Sequence, residues 1–194
     1  MKESNRKIER FFNELAPNWD KDQDREDYKF QLIDSIGLKQ GDRVLDLACG
    51  TGVISNKIQS ITKTKVTALD ISKNMIEIAK SKFDNPDIEF EVGDFYEFSE
   101  VGFDYIVLLN AYPHFIDLEG LKKKFIETLK HKGRVAIIHA CGREELNSHH
   151  KAHALHVSRI LNSVSEEAAF FSDTFNIIKQ EEDSRHFLII LEKK

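Results

Sequence analysis

The run VLDLACGTG, residues 44–52, carries the clearest structural signal in this chain. Its apolar residues are typical of a short strand buried on both faces, and Gly50 and Gly52 end that strand. Glycines here permit a sharp turn, and a helix that follows directs its free N–H groups at whatever occupies the crevice. The run therefore predicts a strand, a turn and a helix start, with Thr51 as the helix cap, in the geometry of a nucleotide-type site.

Length and composition indicate one structural domain in a soluble protein. The chain has 194 residues, of which 41% are hydrophobic and 31% charged, and no Pro/Gly/Ser-rich linker divides it. The charged N-terminus and the absence of a long apolar run argue against a signal peptide or a membrane span, and the two widely spaced cysteines fit a reducing compartment. We therefore expect a cytoplasmic location without membrane contact. The net charge of -5 argues against a nucleic-acid partner.

Further strands are predicted after the first helix, and several end on a polar residue. The predicted strands span residues 65–70, ending at Asp70, then 88–92, followed by Gly93-Asp94-Phe95, then 103–110, ending at Asn110, and then 133–140, which follow a turn at Lys132-Gly133. Two further apolar segments lie near the C-terminus, FNIIKQEE and RHFLIILEK. A first helix over residues 4–15, capped by Ser4, and a second over about residues 27–36 precede the sheet.

The motif at the first turn resembles that of the class I S-adenosylmethionine-dependent methyltransferases, small-molecule type, such as those of quinone biosynthesis. Asp46, Cys49, Gly50 and Gly52 match that family's first motif. A dinucleotide fingerprint would need a third glycine where this chain has Ser55. An acid in the strand also suits the ammonium and sulfonium groups of S-adenosylmethionine (SAM) and would repel a pyrophosphate.

The resemblance implies an α/β fold, a Rossmann-like three-layer sandwich. Its seven-stranded mixed sheet would have the order 3-2-1-4-5-7-6, with the last strand antiparallel. Residues 41–194 would form the SAM-binding domain, with residues 1–40 as an N-terminal helical lid. The cofactor would be SAM, and the product S-adenosyl-L-homocysteine (SAH).

Asp70 lies about twenty residues beyond the turn, the spacing at which a carboxylate accepts both ribose hydroxyls. The resemblance assigns Ile71 and Phe95 to packing on the adenine, and Asp94 to its amino group. The full set of predicted cofactor residues is Asp46, Ala48, Cys49, Gly50, Gly52, Asp70, Ile71, Met75, Asp94, Phe95 and Asn110. Helical spacing also places Met75 in the core.

The expected reaction moves a methyl group from SAM to an O, N, S or C nucleophile of a small molecule. The strand ending in NAYPHF departs from the [DNS]-P-P-[YFW] signature of adenine and glutamine methyltransferases. His114 is the first candidate for a general base, His139 or His149 is a second, and Tyr112 is expected to orient the substrate. A purely structural role for His114, bonding a backbone carbonyl, stays open.

A histidine-rich segment follows the fifth strand. His149, His153 and His156 stand at i, i+4 and i+7, which predicts one helical face, with His150 adjacent. Three interpretations stay open: a solvated helix, a substrate-binding face, or a metal site. We predict no metal, although His114, His139, His149 and His150 are candidates if one binds. Phe12, Trp19, His149, His150 and His153 are the candidate substrate and lid residues.

Two other functions stay open at this point. One is a thiol, metalloid or metal-assisted methyltransferase that uses the histidine-rich rim. The other is a protein that binds SAM or SAH without catalysis. The sequence does not identify the methyl acceptor or the oligomeric state.

Overall fold

The computed structural model describes residues 1–22 and 25–194; Gln23 and Asp24, which belong to the predicted lid, lie outside the described residues. Helices and strands alternate along most of the chain. In order they are α1 (Glu3–Leu15), α2 (Glu26–Ser35), β1 (Val44–Leu47), α3 (Ser55–Thr62), β2 (Val66–Asp70), α4 (Lys73–Lys82), β3 (Ile88–Val92), β4 (Phe103–Leu109), α5 (Leu118–Thr128), β5 (Leu129–His139), α6 (Arg143–His153), α7 (Val164–Ala169), β6 (Phe175–Glu182) and β7 (Phe187–Lys193).

The seven strands form one mixed sheet in the order β3-β2-β1-β4-β5-β7-β6. The pairs β1–β2, β2–β3 and β4–β5 are parallel, whereas β7 pairs antiparallel with both β5 and β6. The fold class and the strand order predicted from the sequence are confirmed. By its contacts the chain divides into two compact units, Met1–Ser99 and Glu100–Lys194.

In the first unit, the short parallel strands are buried because they are apolar on both faces. Every residue of β1 and β2 is buried, including the acids that lie within them. One core cluster lies beside the glycine turn and contains Cys49, Ala68, Ile76, Ala79, Ile88 and Phe90. Helix α4 is capped by Ser72, whose hydroxyl accepts from the backbone N–H of Met75, as the sequence predicts.

In the second unit, the core lies around β5 and β7. Residues 135–140 and 187–191 are buried, and Phe103, Phe125, Phe171 and Phe175 add large aromatic side chains to this core. The predicted turn at Lys132-Gly133 falls inside β5, where Lys132 adopts a left-handed φ of 61° and the pairing with β4 shifts register. The strand therefore continues through a bulge instead of starting after it.

Two predicted caps are wrong. Ser4 lies inside α1, which begins at Glu3, and its hydroxyl donates to the Asn5 side chain. Thr51 lies four residues before the start of α3, because the turn extends to Ile54, and its hydroxyl donates to Asp20. Among the described residues, no helix is both long enough and apolar enough to cross a membrane.

Candidate functional site

The turn after β1 is held in left-handed backbone conformations. Ala48, Gly50 and Gly52 have φ values of 56°, 55° and 79°. This region is uncommon for a residue with a Cβ, so strain at Ala48 is consistent with a turn shaped for function. The Gly50 N–H donates to Asp70 Oδ2 at 2.8 Å, so the end of β2 anchors the turn. At Gly52, an added Cβ would lie 2.9 Å from the Phe90 ring, so packing requires this glycine.

Two carboxyl groups are buried at the base of this turn. Asp46 accepts a 2.6 Å hydrogen bond from the Ser55 hydroxyl, and Asp70 accepts from the Ser72 N–H at 2.8 Å as well as from Gly50. Burial raises the pKa of Asp46 to about 7 and that of Asp70 to about 6, and the hydrogen bonds offset part of the effect. Within residues 1–22 and 25–194, neither carboxylate forms an ion pair with a lysine, arginine or histidine.

This arrangement fits a cationic ligand. Buried carboxylates that lack a cationic partner gain most from a positive charge brought to them, because burial alone disfavours their ionised forms. Each Asp70 oxygen accepts one backbone N–H and keeps a second lone pair for a ligand hydroxyl. The residues present therefore suit SAM, which carries an ammonium group, a sulfonium group and a ribose.

The other predicted cofactor residues of the first unit lie nearby in the fold. Asp94 follows β3 and accepts from the Tyr96 N–H, while Phe95 is buried against Phe98. Ile71 is partly exposed directly after β2, whereas Met75 is 1% exposed and lies in the core.

Cys49 lies in the same turn and is buried. Burial raises the pKa of its thiol well above the usual range, which makes it a poor nucleophile at neutral pH.

The N-terminal segment contacts this turn and the strand ends around it. Asn5 donates to Asp94 Oδ2 at 2.8 Å, and both side chains are buried. The Asn13 side-chain oxygen accepts from the Ser72 hydroxyl and from the N–H of Asn74 at the start of α4.

Farther along this segment, the indole of Trp19 contacts Phe12 edge-on, with ring centroids 5.8 Å apart. Its Nε1 would lie 3.6 Å from a Cβ added at Gly50. The segment therefore lies beside Asp94 and Gly50, two of the candidate cofactor residues.

The second unit contains a buried polar network after β4. Tyr112 is fully buried, and its hydroxyl donates to Glu167 Oε2 at 3.0 Å. Both terminal nitrogens of Arg159 donate to the same carboxylate, at 2.7 and 2.9 Å, and the guanidinium lies 4.4 Å from the centre of the Tyr112 ring. The hydroxyl of Tyr112, a residue predicted to orient the substrate, is thus engaged with Glu167.

Asn110, a predicted cofactor residue, ends β4 with a left-handed φ of 56°. Its side-chain oxygen accepts from the Ala140 N–H at 2.9 Å, which ties the end of β4 to the end of β5. Asparagine tolerates this backbone conformation better than most residues, so the sequence choice matches the geometry.

Three histidines of the second unit lie near this network. His114 Nδ1 donates to the Val157 carbonyl at 3.0 Å, which fixes its tautomer because a carbonyl only accepts. Its ring centroid lies 5.1 Å from that of His150, and His139 ends β5 fully buried. Burial lowers the pKa of His114 to about 4 and that of His139 to about 3, and also lowers that of His150. All three imidazoles are therefore neutral at pH 7.

The histidine-rich segment forms α6, which ends at His153. His149 and His153 are exposed with ring centroids 5.0 Å apart, whereas His150 is buried. His156 lies beyond the helix, so the predicted three-histidine face is wrong: the chain leaves the helix one turn too early. Across the described part of the chain, no three candidate histidines bring ring nitrogens within 4.8 Å of one another.

Sequence reasoning missed several residues of these sites. Arg159 and Glu167 lie eight positions apart, and Arg159 belongs to an irregular segment without a periodic signal. The run SVSE at residues 163–166 does carry a detectable capping box, which forms at the start of α7 and sets the position of Glu167 next to it. Asn5, Asn13 and Asp20 gave no signal, because their partners lie between 31 and 89 positions away.

A family model described as a methyltransferase domain matches residues 38–191. Malonyl-[acyl-carrier protein] O-methyltransferase from Acetivibrio thermocellus is 34% identical over 110 residues, which cover 54% of this chain and 38% of that protein. Demethylmenaquinone methyltransferase from Thermotoga maritima is 34% identical over 114 residues, covering 57% and 49% of the two chains. The chain thus matches less than half the length of either relative.

Solved structures share the fold. The methyltransferase complexed with the Trm112 activator from Haloferax volcanii has a TM-score of 0.81 at 18% identity, with 94% of this chain and 97% of that chain covered. Magnesium protoporphyrin IX methyltransferase from Synechocystis, solved with bound SAH, has a TM-score of 0.74 at 16% identity and covers 99% and 100%. The family and the cofactor class predicted from VLDLACGTG are confirmed: this chain belongs to the methyltransferase-domain family, whose members use SAM as the methyl donor.

Proposed function

We propose that the protein is an enzyme that transfers the methyl group of SAM to a nucleophilic atom of a small molecule. One observation carries the cofactor half of the proposal: two buried acids without a cationic partner flank a strained, left-handed turn. When bound, SAM supplies an already activated methyl group. The protein's own contribution is then to bind, orient and exclude water.

In this proposal, the first unit holds the donor. Asp70 accepts the ribose hydroxyls, while its bonds to Gly50 and Ser72 fix the carboxylate plane. Asp46 supplies negative charge from within β1, and Asp94 accepts from the adenine amino group. The relatives are named for different acceptors, malonyl-[acyl-carrier protein] and demethylmenaquinone, so the similarity does not define the acceptor of this chain.

His114 is the proposed residue for handling the acceptor's proton. Its Nδ1–H is held by Val157, which leaves Nε2 as the nitrogen with a lone pair. The lowered pKa keeps the ring neutral at pH 7 but makes it a weak base. His114 therefore serves as a hydrogen-bond acceptor that aligns the nucleophile more than as a strong proton acceptor.

Neither alternative function gains support from a specific observation. The buried thiol of Cys49 does not favour thiol or metalloid chemistry. The polar network around Arg159 does not favour a non-catalytic binding protein over an enzyme. The small-molecule class of the acceptor and the cytoplasmic location stay proposals.

Calorimetric titration with SAM and with SAH tests the cofactor assignment. We expect both to bind, and Asp70→Asn to weaken binding at least tenfold, about 1.4 kcal/mol, because the variant loses a charge and one acceptor. Asp87→Asn, at an exposed residue before β3, is the control. Failure of the wild-type protein to bind either compound contradicts the proposal.

Steady-state kinetics of His114→Ala test the acceptor half, once a methylated compound is found by screening phenols, amines, thiols and carboxylic acids. We expect kcat/KM to fall about 10- to 100-fold while SAM affinity stays unchanged. Full turnover by the variant would remove His114 from the mechanism.

A further inference from the structure

The polar network of the second unit contains buried nitrogen atoms that the protein itself does not satisfy. Within the described residues, His139 Nδ1, His139 Nε2, His150 Nδ1 and Arg159 Nε have no hydrogen-bond partner, and all four atoms are buried. Such atoms are rare in folded proteins, because each costs about 1–3 kcal/mol when it is left unpaired. Four of them on three residues point to a bound polar group.

The three residues that carry these atoms belong to one cluster. Electrostatic coupling to His150, His114 and Arg159 adds to burial in lowering the pKa of His139. Arg159 is tied to the segment after β4 by its backbone N–H, which donates to the Pro113 carbonyl at 3.0 Å. The rings of His114 and His150 lie 5.1 Å apart.

The unpaired atoms include at least two donors and one acceptor. Arg159 Nε is always a donor. Neutral His139 offers one donor and one acceptor. His150 Nδ1 donates or accepts according to its tautomer. A carboxylate would leave the acceptor of His139 unpaired, and an ammonium group would leave the donors unpaired, whereas a hydroxyl group both donates and accepts.

The charge balance of the cluster also favours a neutral occupant. The positive charge of Arg159 is already matched by two hydrogen bonds to Glu167, and Glu167 is 3% exposed. The three histidines are neutral at pH 7. A charged ligand would therefore be desolvated without a counter-ion.

We propose that His139, His150 and Arg159 form a binding site for a neutral hydroxyl group of a small molecule, of the phenol or alcohol class. In terms of the proposed function, on which this part rests, that molecule is the methyl acceptor. Its oxygen would form a bond to the methyl carbon as the bond from that carbon to the sulfonium sulfur breaks, SAH would be left, and the hydroxyl proton would be released to water. Tyr112 and Glu167 hold Arg159 in place. The amide of Asn147 fixes Leu161, two residues after Arg159, through bonds to its N–H and its carbonyl, each 2.9 Å long.

Titration of the full-length protein with single-ring probes tests this site. Phenol, benzoate and benzylammonium are added separately, with and without saturating SAH, and the ring nitrogens of isotopically labelled histidine are followed by NMR. We expect phenol to shift the resonances of His139 and His150 and to bind at least tenfold more tightly than either charged probe. Stronger binding of benzoate or benzylammonium overturns the proposal, as does the absence of phenol binding, which would leave only water at these nitrogens.

Three variants separate recognition from folding. His139→Phe removes both unpaired nitrogens and should lose phenol binding at least tenfold while raising Tm. His139→Gln keeps a donor and an acceptor and should retain most of the binding. His131→Phe, at an exposed position on the same strand, is the matched control. Equal phenol affinity in wild type and His139→Phe overturns the proposal.

SAH affinity, measured separately, should be the same in all variants. If the wild-type protein itself did not bind SAH, this result would instead contradict the cofactor assignment. The two failures are therefore distinguishable.

Discussion

Gly52 shows how a single residue serves both the turn and the core. Its φ of 79° favours glycine, and an added Cβ would lie 2.9 Å from two atoms of the Phe90 ring and 3.3 Å from Phe83. These two rings stack with centroids 6.4 Å apart, so neither can move without disturbing the other. The glycine that the sequence motif assigns to ligand approach is therefore required by packing as well.

We expect Gly52→Ala to lower the free energy of unfolding by about 2–3 kcal/mol, from backbone strain together with the clash. Gly37→Ala is the control, because Gly37 has a similar φ of 82° but no atom within 4 Å of an added Cβ. It should cost only about 1 kcal/mol. Urea unfolding measures both variants, and equal losses would show that the aromatic pair accommodates the methyl group.

At single positions, the sequence predicted where acids and caps lie better than it predicted which residues contact each other. The acids at Asp46 and Asp70 could be placed because each falls within or at the end of an apolar strand, and Ser72 because its spacing from α4 is that of a cap. The contact of Thr51 could not be predicted, because its hydroxyl donates to Asp20, a residue 31 positions away. Long-range side-chain partners leave no periodic trace in a sequence.

At the scale of elements, α1 contacts a residue of the candidate cofactor site. Its Asn5 amide donates to Asp94, the acid predicted to accept the adenine amino group. An adenine amino group that approaches the same carboxylate would compete with Asn5 for it. Farther along, Asn13 binds the N-terminal end of α4 through Ser72 and Asn74, which anchors the same segment.

We expect Asn5→Ala to strengthen SAM binding about 3- to 10-fold, since one hydrogen bond that competes with the ligand is worth about 0.5–1.5 kcal/mol. Arg10→Ala, on an exposed part of the same helix, should leave the affinity unchanged. Calorimetry gives the affinity, and stopped-flow fluorescence of Trp19 gives the association rate. Weaker binding by Asn5→Ala would show instead that Asn5 contacts the ligand directly.

Helix α6 marks the limit of periodic reasoning. The spacing of its histidines predicted one face of three, but the helix stops at His153 and the chain continues irregularly until α7. His150, the neighbour outside that face, is the one that becomes buried, because it packs toward His114 and the backbone of Arg159. Which face of a helix is covered depends on the fold around it, and a run of polar residues does not encode that.

At the scale of the whole molecule, the strand order was predictable only through the family that the motif VLDLACGTG resembles. The contacts around Arg159 were not predictable, because these residues meet through an irregular segment.

Two sets of buried titratable groups affect the stability of the fold with opposite dependence on pH. One set is Asp46 and Asp70, and the other is His114 and His139. The raised pKa values of Asp46 and Asp70 mean that the folded protein keeps protons which the unfolded chain releases. Their contribution to stability therefore falls as pH rises from about 4 to 7.

The buried histidines act in the reverse direction. The pKa values of His114, at about 4, and His139, at about 3, are lowered from 6.5, so the unfolded chain binds protons that the folded protein does not. Their contribution is complete above about pH 6.5 and is lost as the pH falls toward 4. Between about pH 4 and pH 6.5, the opposite contributions of the acids and the histidines to stability compensate in the ligand-free protein. Its Tm should therefore depend little on pH in this range.

Binding of SAM should remove that compensation. Positive charge beside Asp46 and Asp70 favours their ionised forms, so the ligand binds more tightly as the pH rises through about 6 to 7. We expect the increase in Tm at a fixed SAM concentration to grow from pH 5 to pH 8, as measured by calorimetry in buffers of low ionisation enthalpy. Asp46→Asn, which can still accept from Ser55, should flatten this profile while raising the Tm of the ligand-free protein at pH 8. An increase in Tm that is the same at every pH would show that the two acids do not sense the charge of the cofactor.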